Sequence, residues 1–90
     1  MATKVTRLEG LMIDNIGGNN FGDGPGDEVW SDSLHEGPHG SFAPNASFGG
    51  IVSSLVKKGL AGTSGLEGRD ATVWLTEEGV RIYEERNEEV

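Results

Sequence analysis

Ninety residues with 34% hydrophobic content and 15 glycines suit one small domain, residues 1–90, with a modest core and generous loops. The absence of cysteine excludes disulfides and thiolate zinc sites and fits a reducing compartment. A net charge of -8 excludes a broadly basic surface, and no apolar run is long enough for a membrane span, so a soluble, cytoplasmic chain with neither signal peptide nor membrane partner is expected.

In chain order, Thr6 and Glu9 have the Thr-x-x-Glu spacing of a capping box. Leu8, Leu11, Met12 and Ile16 then recur on one helical face, which predicts helix 1 over Arg7 to Ile16, ended by Gly17 and Gly18. Residues 17–28 are punctuated by glycine and Pro25 and read as a long loop with Phe21 as its anchor. The Gly22, Gly24, Gly26 run lacks the preceding strand and following helix that a phosphate loop needs. Asp23, Asp27 and Glu28 lack the spacing of a helix-loop-helix calcium site, so a solvated acidic loop is expected.

Asp27 can cap a short helix 2 that buries Val29, Trp30 and Leu34 and closes at Gly37 and Pro38. The alternative is an extended Glu28 to Ser31 that pairs with the later hairpin as a third strand. Residues 37–46 form a second long loop, from which Asn45 or Ser47 caps the next helix. His35 and His39 flank Glu36, but Gly37 and Pro38 break the helix that would align them for zinc. Nothing in the sequence activates Ser41 or Ser47 as a nucleophile. No enzyme, metal or cofactor is therefore expected.

The stretch from Phe48 to Thr76 is the most informative. Phe48, Ile51, Val52, Leu55 and Val56 define the apolar face of helix 3, with Gly49, Gly50, Ser53, Ser54 and Lys57 on the other side. Lys57 and Lys58 suit the negative end of the helix dipole, and Gly59 suits a left-handed stop. Leu60 to Thr63 and Ala71 to Leu75 read as strands around a turn at Ser64 to Asp70, with Trp74 on the face opposite Val73 and Leu75. Thr76 caps helix 4, where Glu77 and Glu78 suit the first turn and Val80 and Tyr83 face inward, ahead of a frayed tail at 88–90. Trp30, Phe42 and Phe48 are expected in the core.

The phrases SSLVKKGLAG and VWLTEEGV resemble the winged helix-turn-helix domains of small bacterial and phage regulators. The resemblance implies an α+β fold of three helices, a β-hairpin wing and a C-terminal helix that packs back on the core. It further implies that helix 3 is the recognition helix and that the function is DNA-binding transcription regulation. Gly49, Gly50, Ser53, Ser54 and Lys57 on helix 3 and Arg69 at the wing tip would then face double-stranded DNA.

Charge distribution supports a second class of function. Residues 23–40 carry Asp23, Asp27, Glu28, Asp32 and Glu36 and neither Lys nor Arg. These five define the alternative, an acidic protein-protein interaction module, such as a phage or host factor inhibitor, that meets a basic protein partner; a DNA mimic is a third form of it. A homodimer is compatible with either class.

Overall fold

Thr6 opens the first helix, α1 (Arg7–Gly17), with the expected capping box: its hydroxyl accepts from Glu9 N at 3.1 Å and the Glu9 carboxylate accepts from Thr6 N at 2.8 Å. Thr6→Ala should cost about 1 kcal/mol, read as a lower urea midpoint with unchanged slope.

The computed structural model describes residues 5–18, 26–40, 42, 48–64 and 72–88, with Ser31, Asp32, Glu36 and Glu88 described by backbone alone. After α1 come strand β1 (Val29–Trp30), a 3-10 helix (Ser31–Glu36), α2 (Phe48–Lys57), strands β2 (Ala61–Ser64) and β3 (Thr72–Leu75), and α3 (Glu77–Glu88). The domain is α+β, with an antiparallel sheet in the order β1-β3-β2. The expected caps Asn45 and Ser47, the anchor Phe21 and the hairpin turn lie outside the described residues.

The predicted helix 2 is corrected. Val29 and Trp30 are extended and pair with Val73 and Thr72, and only Ser31 to Glu36 coil, as a 3-10 helix. This is the third-strand alternative; a β-branched residue and an aromatic ahead of Ser31 satisfy their backbone on β3. Pairing alternates the side chains, so Val29 is buried while Trp30 is 54% exposed, which overturns its expected core position. Leu34 is buried as expected.

Helix α1 is buried on more than one side because α2, α3, β3 and the 3-10 helix all pack against it. Met12, Ile13 and Ile16 are fully enclosed, and Glu9, Gly10, Asp14 and Asn15 are buried with them, whereas Leu8 and Leu11 are half-buried. A single apolar stripe therefore understates its role.

In α2, Ile51, Val52 and Leu55 enter the core, Phe48 is half-buried and stacks on Phe42 at 5.2 Å, and Val56 is 39% exposed, contrary to expectation. Gly59 stops the helix at φ 76°, with Gly59 N donating to Val56 O at 3.0 Å and Leu60 N to Leu55 O at 2.9 Å. That pair of bonds, with Leu55 and Leu60 both enclosed, is a Schellman closure with its hydrophobic contact. The chain therefore turns directly from α2 into β2.

Across the sheet, Ala61, Val29, Val73 and Leu75 face the core, while Trp74 lies half-buried on the other side, as the alternation predicts. Thr76 caps α3 by accepting from Gly79 N at 3.2 Å. Ile82 is the buried anchor of α3, with Val80 and Tyr83 half-buried beside it.

Candidate nucleic-acid interface

Helix α2 presents Gly49, Gly50, Ser53 and Lys57 to solvent, on one stripe at helical spacing. Val56 borders that stripe. The two glycines keep the start of the stripe low, Ser53 adds a hydroxyl, and Lys57 a cation in the last turn.

Ser54 lies at the inner edge of this stripe, half-buried. Its hydroxyl donates to Glu9 Oε2, and Lys58 Nζ approaches Glu9 Oε1 at 2.6 Å. One carboxylate of α1 thus fastens the last turns of α2 from beneath. Burial alone would raise the Glu9 carboxyl, but bonds from Lys58, Ser54 and Thr6 N outweigh it and hold the group down at about 2. Lys58 is consequently neutralised where it stands, and Ser54 is spent on the interior.

A second polar clasp lies further along α1. Asp14 accepts from Arg86 Nε and Nη2 at 3.0 and 2.8 Å, from Asn87 Nδ2 at 3.3 Å, and meets His39 Nε2 at 2.8 Å. Burial works against its charge, yet the Arg86 and His39 bonds prevail and keep Asp14 below the usual carboxylate range. Neighbouring Asn15 donates to Gly40 O and accepts from His39 N, tying the 37–40 turn to the same helix. On α3, Arg81 pairs with Glu78 and, at 2.8 Å, with Glu85. Lys58, Arg81 and Arg86 are thus all bound to carboxylates of this chain, leaving them less charge for a phosphate.

The remaining predicted residues are scattered. Arg69 and Asp23 lie outside the described residues. Asp27 and Glu28 are exposed ahead of β1, where Glu28 Oε2 accepts from Thr72 Oγ1 at 2.8 Å. Asp32 and Glu36 belong to the 3-10 helix. His35 is exposed, and among the described residues no group of three or more His, Asp or Glu is placed to hold a metal. No helix of the described residues is long and apolar enough to cross a membrane.

Sequence reasoning missed both carboxylate clasps, although a signal was present. Gly10 sits in mid-helix, where glycine costs about 1 kcal/mol relative to alanine. A Cβ there would come within 2.5 Å of the Arg86 guanidinium, so the bare backbone is the bed on which Arg86 reaches Asp14. Comparison with known protein families, with curated proteins and with solved structures finds no match.

Proposed function

We propose that this chain is a winged-helix domain that binds duplex DNA through α2, as a non-enzymatic regulator. The observation that carries the reading is topological: a helix, a short strand, a helical turn, a second helix and a hairpin follow one another, with β1 paired to the far strand of that hairpin. In such an arrangement the helix that leads into the hairpin is the one offered to the major groove. Here that helix is α2, and its exposed Gly49, Gly50, Ser53 and Lys57 supply a low, hydrogen-bonding surface ended by one cation. Arg69, between β2 and β3 in the chain and outside the described residues, is the candidate wing contact with the adjoining backbone.

A titration of duplex DNA at increasing salt tests this. Binding should weaken as salt rises, and Lys57→Ala should reduce the salt slope by about one, with Arg69→Ala doing the same if the wing reaches a phosphate. Glu28→Gln should strengthen binding by removing a repelling charge. Absence of binding at about 50 mM salt would overturn the proposal.

A further inference from the structure

The outer face of the sheet is a second surface, on the side away from the core. The register brings Trp30 opposite Thr72, with Trp74 two residues further along β3, so the two indoles are diagonal neighbours about 7–8 Å apart at their backbones. Gly62, opposite Trp74 on β2, gives the second indole its seat: a Cβ at Gly62 would come within 2.6 Å of the ring. Glu28, held by the Thr72 hydroxyl, stands beside the tryptophans. A large aromatic side chain 54% exposed on a strand of two residues has no role in the core, and the pairing that exposes it is what fixes its position.

We propose that this face docks an extended segment of a protein partner carrying Lys or Arg side chains. Charge selects that occupant. The described outward-facing residues of the sheet carry no cation, and Glu28, immediately before β1, places a carboxylate at their edge through its bond to Thr72, in a chain of net charge -8. A second copy would bring the same negative charge against it, and nucleic acid or an anionic lipid surface would be repelled in the same way. A cationic segment gains on both counts: Glu28 offers a charge partner, and indole rings attract ammonium and guanidinium groups over their faces. The surface is independent of α2, so it stands whether or not α2 binds DNA.

The test uses the full chain, isotope-labelled, titrated with ten-residue peptides in which Lys or Arg alternates with apolar residues, and with the same set carrying Glu instead. The cationic set should shift the amides of Glu28, Trp30, Thr72 and Trp74 and the Trp30 indole N–H, and the Glu set should not. Trp30→Ala should weaken binding about tenfold or more, since exposed tryptophans of this kind act as anchors. Glu28→Gln should flatten the salt dependence. Both side chains are exposed, so both variants should keep the parent circular dichroism spectrum and thermal midpoint, and Trp30→Ala should leave duplex DNA binding unchanged. Three results would overturn the proposal: no cationic peptide shifting these residues, equal binding of both sets, or concentration-dependent dimerisation of the parent chain that Trp30→Ala abolishes.

Discussion

Gly79→Ala should cost the fold more than about 3 kcal/mol. Alanine normally improves a helix, by about 1 kcal/mol over glycine, so the sign of the expected effect is opposite to intrinsic propensity. The reason is contact. A Cβ at position 79 would lie 2.0 Å from the carbonyl oxygen of Leu60, an atom of the backbone that cannot swing aside like the end of a long side chain. The same carbonyl accepts from Thr76 N at 3.1 Å, and Thr76 Oγ1 donates to Gly59 O at 2.7 Å while capping α3. Moving α3 away to admit the methyl would therefore break the junction where the end of α2, the start of β2 and the start of α3 meet. Overpacking of about 1–3 kcal/mol adds to the loss of the Thr76 N–Leu60 O and Thr76 Oγ1–Gly59 O hydrogen bonds, about 0.5–1.5 kcal/mol each. A sum above about 3 kcal/mol is a large part of the total stability of so small a domain. Urea denaturation followed by circular dichroism reads it directly, and a variant as stable as the parent would show that α3 does not seat on Leu60.

This junction marks how far the sequence could be read. Gly59 as a left-handed stop, Thr76 as a cap and the hairpin strands were all legible, because each is fixed by neighbours in the chain: turn chemistry, capping side chains and alternation. Why position 79 holds glycine was not legible, since the atom that forbids a side chain belongs to Leu60, nineteen residues earlier. The same distinction explains the other differences. Val29 and Trp30 are compatible with a helix or a strand, and the edge of β3 decides between them. The α2 stripe was legible by periodicity, but not that a carboxylate forty-five residues away engages the hydroxyl of Ser54 at its edge. Of the buried carboxylates of α1, Asp14 was signalled only by the mid-helix Gly10 beneath Arg86, and Glu9 carried no local sign of burial. Glu9 was legible as a capping residue only, although Oε2 also accepts from Ser54 and the capping oxygen Oε1 also meets Lys58 at the end of α2.

That second role makes the stability of the domain depend on pH in a way set by Glu9. In the folded chain the carboxyl is held at about 2, against an ordinary 4.5, by Lys58, Ser54 and Thr6. A carboxylate depressed by folding contributes stability that is fully present above its unfolded value and is lost as pH falls through its folded value. The window therefore runs from about pH 5 down to about pH 2, and the contribution above it is about 2–3 kcal/mol once the partial exposure of Lys58 is allowed for. Asp14 titrates in the same direction, since it too is held below the usual range, and it steepens the acid side of the profile. Glu9→Gln separates the two. The amide keeps the size of the side chain but removes the charge that faces Lys58, so the variant should be less stable than the parent by about 2–3 kcal/mol at pH 7. The gap should close as pH approaches 2, where the parent carboxyl is itself protonated. Urea midpoints at pH 7, 4, 3 and 2 for both proteins supply the comparison. A gap that stays constant across this range would mean that the loss comes from packing and that the Lys58 contact contributes nothing. A gap that closes would show that the Glu9 charge, facing Lys58 and Ser54, fastens α2 to α1.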